Sequence, residues 1–78
     1  MNGQKVYKIE RGENEEIRLT LKEYKNKKYL DIRIFFQPQD EKEMRPTKKG
    51  ITISIDQIGK VAKGLKHLMQ FIPEEMVL

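Results

Sequence analysis

Residues 17–36 read IRLTLKEYKNKKYLDIRIFF and contain two alternating runs on either side of a polar turn. In each run every second residue is aliphatic or aromatic, which is typical of a β-strand with one buried face. Asn26 and Lys27 stand between the runs, and asparagine tolerates the positive φ angles of a two-residue hairpin turn. The sequence therefore predicts an antiparallel hairpin that turns at Asn26-Lys27.

This turn determines which residues of the two strands lie opposite one another. It pairs Tyr24 with Tyr29 and Lys22 with Asp31. One face of the hairpin is then wholly apolar and belongs to the core: Ile17, Leu19, Leu21, Leu30, Ile32, Ile34 and Phe36. The other face combines cations with three aromatic rings: Arg18, Thr20, Lys22, Tyr24, Tyr29, Asp31, Arg33 and Phe35. Such a mixture on a sheet surface indicates that something covers the rings.

The segments around the hairpin complete an α+β fold. Residues 5–9 predict a short strand, residues 38–50 a loop with prolines and a glycine, and residues 51–53 a short fourth strand. Ser54 and Gln57 have the spacing of a capping box, and apolar residues then recur at helical steps. We expect a four-stranded antiparallel sheet with one C-terminal helix on its aliphatic face.

The chain is small for a single core. It has 78 residues, 37% of them hydrophobic, with no cysteine and one histidine. At this size, burial at about 25 cal/mol per Å² barely offsets about 1.5 kcal/mol of entropy per ordered residue. Neither disulfides nor a metal can reinforce the core, so we expect a homodimer. The predicted interface consists of apolar helix residues: Ile58, Val61, Leu65, Leu68, Met69 and Ile72.

Basic charge is concentrated in two segments. Sixteen lysines and arginines against twelve acidic residues give a net charge of +4. Residues 17–33 hold six basic and two acidic residues, and residues 44–66 hold six basic and one acidic residue. The remaining segments are net acidic. Segregated basic charge favours a polyanionic partner.

No group of residues predicts catalysis. His67 has no cysteine or clustered carboxylate near it in sequence, and the chain contains no glycine-rich phosphate loop. We expect no enzymatic activity and no cofactor or metal. The sequence has neither a membrane-length apolar run nor a signal-peptide segment. We therefore expect a cytoplasmic protein, associated with the nucleoid if bacterial, or a nuclear protein if eukaryotic.

Single-stranded nucleic acid fits the mixture of cations and rings on one sheet face. Lysine and arginine neutralise phosphates, while each base that stacks on a ring contributes about 1–3 kcal/mol. Duplex readers instead usually place a helix or ribbon in a groove. Three alternatives stay open: a sheet face whose cross-strand pairs merely pack, a single-stranded RNA binder, and an adaptor that docks an acidic protein.

Two segments resemble the positive cofactor 4 family of transcriptional coactivators. Residues 30–36, LDIRIFF, match an aliphatic-Asp-Ile-Arg strand that ends in aromatics, and residues 43–51, EMRPTKKGI, match the loop that follows it. The hairpin segment 22–27, KEYKNK, fits as well, and the similarity runs over residues 17–65. The resemblance implies a curved sheet plus helix that dimerises on the helix side and binds single-stranded DNA on its β-surface.

The resemblance also implies, position by position, a set of nucleic-acid-binding residues. They are Lys22, Tyr24, Lys25, Lys27, Arg33, Phe36, Arg45, Lys48, Lys49 and Gly50. Simple alternation places Phe36 on the core face and Phe35 outside, whereas the resemblance makes Phe36 a stacking ring. A β-bulge near the end of the third strand would turn Phe36 outward.

Three departures from the family pattern qualify the resemblance. The 38–43 loop is one residue longer, and Ile58 stands where a tryptophan is common. The chain also lacks the Ser- and Lys-rich regulatory tail of eukaryotic members, which favours a compact bacterial or viral member.

We therefore predict that residues 1–78 form a single domain. Its expected function is to bind single-stranded DNA with low sequence specificity, in transcription regulation or in replication and repair. The expected partners are single-stranded DNA, a second copy of the chain and, through the family, the transcription machinery, with RNA as the alternative ligand.

Overall fold

The computed structural model describes residues 5–76 as one antiparallel sheet followed by one helix. The strands lie side by side in chain order and are β1 (Lys5–Glu10), β2 (Glu15–Tyr24), β3 (Lys27–Phe36) and β4 (Arg45–Ser54). The helix α1 (Ile55–Met69) follows β4 directly, and a 3₁₀ turn covers Glu74–Met76. The predicted architecture, four antiparallel strands and then one helix, is confirmed.

The β2–β3 hairpin turns one residue earlier than the sequence predicted. Lys25 and Asn26 form the turn, with φ angles of 50° and 68°. Two consecutive positive φ angles are the conformation whose twist matches that of the flanking strands. Tyr24 therefore lies opposite Lys27, and the predicted pairing with Tyr29 was wrong. Because the register moves by two residues, every side chain keeps its predicted face.

β4 is longer than predicted. It begins at Arg45, so residues 45–50 belong to the strand and the connection to β3 is residues 37–44. The proline and glycine that indicated a loop are tolerated here because β4 is an edge strand of the sheet. The prediction of a loop over residues 38–50 was therefore wrong in its second half.

The β3–β4 ladder contains one irregularity. Arg33 lies opposite Gly50 and Phe35 lies opposite Pro46, so β4 advances four residues while β3 advances two. Thr47 bridges the irregular region, because its hydroxyl donates to the Ile34 carbonyl at 2.7 Å and accepts from the Lys49 amide at 3.1 Å. The extra residues of this bulge therefore belong to β4.

The helix begins after Ser54, as predicted, but the capping box does not form. The Ser54 side chain caps no backbone amide, and its hydroxyl lies 3.4 Å from Oε1 of Gln57. Ser54 is still part of β4, where it pairs with Tyr29, and its backbone is extended. Ser54 thus occupies the N-cap position with the extended backbone usual there, but its hydroxyl bonds to the Gln57 side chain and not to a backbone amide.

The core of a single copy is thin. α1 packs against β3 and β4 only, and Ile53, at 8% exposure, is the one buried apolar residue within the range 5–76. On the same face of the sheet Tyr7 and Leu21 are exposed. Of the helix residues predicted to form an interface, Ile58 is half-buried and the others are exposed: Val61, Leu65, Leu68, Met69 and Ile72. One chain therefore leaves most of this apolar face uncovered.

No helix between residues 5 and 76 is long and apolar enough to cross a membrane.

Candidate nucleic-acid interface

The face of the sheet that carries Arg18, Asp31 and Arg33, called the polar face below, is organised in rows that run across the strands. One row joins Thr20 of β2 to Asp31 of β3 and Thr52 of β4. The next row joins Arg18 to Arg33 and Gly50. Because alternate residues of a strand share a face, the side chains of neighbouring rows lie on the same surface. Residues that are distant in sequence thus form one continuous surface.

Asp31 lies at the centre of the polar face and is 5% exposed. Its Oδ1 accepts a hydrogen bond from Nη2 of Arg33 at 3.0 Å, and its Oδ2 accepts one from Nε at 3.2 Å. The Thr52 hydroxyl donates to Oδ1 at 3.3 Å. The hydrogen bonds from Arg33 lower the pKa of Asp31 despite its burial, and the charges of Arg33 and Lys22 act in the same direction. Asp31 is therefore a carboxylate at neutral pH.

Arg33 has the most contacts of the predicted binding residues. Besides Asp31, its Nη1 donates to the carbonyl of Thr47 at 2.9 Å, and the hydrogen bond to Asp31 raises the pKa of its guanidinium. The side chain passes close over Gly50, where an added Cβ would lie 2.9 Å from the guanidinium carbon. Gly50 was predicted to bind nucleic acid, which stays a prediction. In the structure its lack of a side chain leaves room for Arg33.

The tip of the β2–β3 hairpin carries one exposed aromatic ring, that of Tyr24, with lysines beside it. Tyr24 is 62% exposed, and Nζ of Lys25 lies 5.3 Å from the centre of its ring. Lys27 lies directly opposite Tyr24 in the ladder. The structure thus brings these three predicted residues together at an exposed end of the sheet.

The two phenylalanines at the end of β3 lie on different faces. The pairing of β2 with β3 continues without a break as far as Phe36, so β3 keeps its alternation up to its last residue. Phe35 lies on the polar face, below the guanidinium of Arg18. Phe36 follows the parity of the apolar face and is 38% exposed. The predicted bulge occurs in β4 and does not turn Phe36 outward, so its stacking role stays a prediction.

The remaining predicted cations come from β4 and differ in their contacts. Arg45 is held by Glu41, whose Oε1 accepts a hydrogen bond from Nε at 2.7 Å and whose Oε2 forms an ion pair with Nη2 at 2.7 Å. Lys48 reaches the polar face, and Lys49 is exposed.

An open cavity of about 490 Å³ lies on the polar face, between β2, β3 and the irregular part of β4. Its lining residues are Lys22, Asp31, Arg33, Phe35, Pro46, Thr47 and Lys48. Three cations from three different strands, Lys22, Arg33 and Lys48, therefore meet around one depression. The sequence had not assigned Thr47 and Pro46 to the site, because the irregular register that brings them there leaves no periodic signal.

Within residues 5–76, no group of three or more histidine or acidic side chains could hold a metal ion. The one histidine, His67, contacts Gln70 and the ring of Phe71.

Comparison with known proteins identifies the family and the fold of the chain. A family model described as Transcriptional Coactivator p15 (PC4) matches residues 12–64. None of the curated proteins matches the chain significantly in sequence.

Solved structures share the fold. A PC4 homolog from Burkholderia pseudomallei K96243, in a tetragonal crystal form, is similar with a TM-score of 0.75 and 22% identity over 86% of this chain and 98% of that chain. Its orthorhombic form gives a TM-score of 0.74 and 23% identity over 88% and 93%. A bacteriophage T5 homolog of the eukaryotic transcription coactivator PC4, implicated in recombination-dependent DNA replication, gives 0.66 and 24% over 96% and 83%.

Proposed function

Because the chain belongs to the family of the Transcriptional Coactivator p15 (PC4), we propose that it binds single-stranded DNA on its polar face with low sequence specificity. The family is known for DNA binding and transcription coactivation and is not enzymatic. Holding melted strands in transcription, replication or repair is the role that we propose for this member.

The observation that carries the proposal is the cavity on the polar face. Lys22, Arg33 and Lys48 surround it, and the ring of Phe35 forms part of its wall. Tyr24 lies exposed at the hairpin tip. Cations that track a phosphate backbone beside rings that accept bases are the two components of single-strand binding.

The shape of the surface favours a single strand over a duplex. The cations around the cavity lie on strands, and α1 forms no part of its lining. A reader of duplex DNA would instead present a helix or a projecting ribbon to a groove. A broad sheet with exposed rings suits unstacked bases, which offer their faces.

We further propose that the functional unit is a homodimer that buries the apolar face. Leu65 and Leu68 of α1 are 60% and 58% exposed, and Tyr7 and Ile51 of the sheet are exposed on the same side. A second copy would cover this surface and leave both polar faces free for DNA. Through the DNA, the protein would act in the nucleoid of a bacterium or in the nucleus of a eukaryote.

Fluorescence anisotropy with labelled oligonucleotides tests the proposal. We expect single-stranded DNA to bind more tightly than the matched duplex, with an affinity that falls steeply as salt rises. Matched RNA oligomers in the same titration test the RNA alternative. Absence of binding to any oligonucleotide at low salt, together with capture of an acidic protein partner, would instead support the adaptor.

A further inference from the structure

We infer that Asp31 is a positioning residue for DNA binding, because its carboxylate holds the guanidinium of Arg33 in the orientation in which it meets a backbone phosphate. The inference rests on the proposed function and goes beyond it. It states that a negatively charged residue at the centre of a cationic surface strengthens the binding of an anion.

Three contacts define the orientation of Arg33. Nε and Nη2 donate to the two carboxylate oxygens of Asp31, and Nη1 donates to the backbone carbonyl of Thr47. A guanidinium carries five N–H groups. Within the described part of the chain these contacts use three of them, which leaves one N–H on Nη1 and one on Nη2, and the Arg33 side chain lines the cavity. Hydrogen bonds from an arginine to a phosphate are assisted by charge and are stronger than those between neutral groups.

The groups that hold Arg33 are themselves held. Asp31 is buried and receives a further hydrogen bond from Thr52. The Thr47 hydroxyl bonds to backbone groups of β3 and β4, which anchors the carbonyl that Arg33 uses. Because Asp31 and the Thr47 carbonyl are both held in place, they cannot move with Arg33. The fold therefore fixes the orientation of the Arg33 side chain.

Gly50 lies directly beneath the Arg33 side chain. A Cβ at this position would lie 2.7 Å from the carbonyl oxygen of Ile32 and 2.9 Å from the guanidinium carbon of Arg33. Any larger residue would have to push the arginine away from the sheet. Gly50 therefore allows Arg33 to lie close along β4 while Asp31 holds its end.

Preorganisation is the physical reason why this arrangement favours binding. An arginine side chain has many rotamers, and their loss on binding opposes association. Here the loss occurs when the protein folds, so it does not recur when DNA binds. The cost is that Asp31 cancels one positive charge at the site, which weakens long-range attraction of the strand.

Glu41 and Arg45 form a second carboxylate–arginine pair, which serves as the control. Here we expect the carboxylate only to compete with phosphate for the arginine. Glu41 also contacts two nitrogens of its arginine, but both side chains are much more exposed, at 38% and 61%, and both lie near the β3–β4 connection. Within residues 5–76 the Glu41 side chain bonds only to Arg45. Removing this carboxylate should free Arg45 for phosphate.

The test compares Asp31→Asn with Glu41→Gln in single-stranded DNA titrations at several salt concentrations. Coulomb's law alone predicts that both variants bind more tightly, since each removes one negative charge near phosphates. Positioning predicts that Asp31→Asn instead weakens binding about 2- to 10-fold, the cost of ordering one side chain on binding. Glu41→Gln should tighten binding. Tighter binding by Asp31→Asn would overturn the inference.

An Arg33→Gln background removes the group that Asp31 positions. Asp31→Asn should then tighten binding, because the unpaired carboxylate only repels phosphate. A change of sign between the two backgrounds supports positioning, and an equal effect in both refutes it. Thermal melts of each variant show whether the fold is retained.

Thr52→Val supplies the same comparison without a change of charge, should Asp31→Asn fail to fold, because it removes only the hydroxyl that donates to Asp31. It should weaken binding when Arg33 is present and have little effect in the Arg33→Gln background. Equal effects in both backgrounds refute the inference. If the wild-type chain binds no oligonucleotide, the proposed function fails and this role with it, whereas binding without the expected change of sign refutes positioning alone.

Discussion

The guanidinium carbon of Arg18 lies 4.2 Å from the centre of the Phe35 ring on the polar face. Arg18 is also bonded to the carboxylate of Glu16, which fixes it above the ring. A contact of this kind contributes about 0.5–1 kcal/mol at an exposed site. One side of Phe35 is therefore covered by a cation, and the ring serves as a wall of the cavity. Tyr24 at the hairpin tip also has a cation near its ring, since Nζ of Lys25 lies 5.3 Å from its centre, but it is 62% exposed and is therefore the more accessible ring for a base.

Substitution of Tyr24 by alanine should weaken binding of single-stranded DNA by about 1–3 kcal/mol, the contribution of one stacked base. The side chain is 62% exposed, so the melting temperature should hardly change. Tyr24→Phe keeps the ring and is the matched control, which should bind as the wild type does. Equal affinities for the alanine and phenylalanine variants would exclude stacking at this position.

The salt dependence of binding should report the number of cations that contact phosphate. The seven predicted lysines and arginines, if each neutralises one phosphate, give a log–log slope of about 5 in magnitude for a single strand. Lys48→Gln should reduce this slope by about 0.7, because Lys48 borders the cavity.

Lys60→Gln is the matched control for that measurement, since Lys60 lies on the exposed helix and not on the polar face. It removes the same charge but should leave the slope unchanged. A slope that responds equally to both substitutions would mean that only net charge matters.

The hairpin turn offers a way to separate stability from binding. Lys25 has a positive φ of 50°, a conformation that asparagine adopts more readily than lysine. Lys25→Asn should therefore raise the free energy of unfolding by a few tenths of a kcal/mol up to about 1 kcal/mol. The same change removes a predicted phosphate contact, so affinity for DNA should fall.

Asn26→Gly is the companion substitution at the same turn. It suits the positive φ of 68° at that position and keeps the lysine. Urea unfolding should show stabilisation for both variants, whereas anisotropy should show weaker binding for Lys25→Asn only. Weaker binding by Asn26→Gly would mean that the shape of the turn, and not the charge of Lys25, contributes to affinity.

The faces of the sheet could be predicted from the sequence, but the register could not. Alternation alone assigns Leu19 and Ile32 to one side and Arg18 and Arg33 to the other, and the structure agrees. The choice between two turn positions depends on whether Lys25 adopts a positive φ, which composition does not reveal. Because the two registers differ by an even number of residues, this error left the predicted faces intact.

The side-chain contacts within the site were harder to predict from the sequence than the faces of the sheet. Arg33 was predicted to contact DNA from the family resemblance. Its hydrogen bonds to Asp31 lie within β3, but its contact with Thr47 depends on how β4 passes β3. That passage is irregular, and a proline and a glycine within a strand read as a loop. For the helix, by contrast, the sequence was informative. It contains more apolar residues than one small sheet can cover, which predicted an exposed apolar face, and Leu65 lies on that face.

The Asp31–Arg33 pair should make stability depend on pH in the acid range. Hydrogen bonds from Arg33 lower the pKa of Asp31 below its ordinary value of about 3.9. Between the two pKa values the unfolded chain binds more protons than the folded one, so this stabilisation is complete above the unfolded value and is lost as pH falls through the folded value. The wild-type free energy of unfolding should therefore fall more steeply below about pH 5 than that of Asp31→Asn.

Urea unfolding of both proteins at a series of pH values measures this difference. Other carboxylates titrate in the same range in both proteins, so only the difference between the two curves belongs to Asp31. Parallel curves would show that the ionisation of Asp31 contributes nothing to the pH dependence of stability.

Leu65→Glu should disrupt the proposed homodimer. Leu65 is 60% exposed on the apolar side of α1, and a carboxylate there would have to be buried in the interface without a partner. Sedimentation velocity should show a dimer for the wild type and a monomer for this variant. The wild-type melting temperature should rise with protein concentration, because dissociation accompanies unfolding, whereas that of the variant should be lower and independent of concentration.

His67→Glu is the control for this experiment, because it introduces the same charge on the opposite side of the helix. Two residues along α1 correspond to a rotation of about 200°, so His67 faces away from Leu65. This variant should remain a dimer. If the wild type sediments as a monomer with a melting temperature that ignores concentration, the exposed apolar face is not an interface between two copies. The thin core around Ile53 must then be sufficient to hold α1 against β3 and β4 in a single chain.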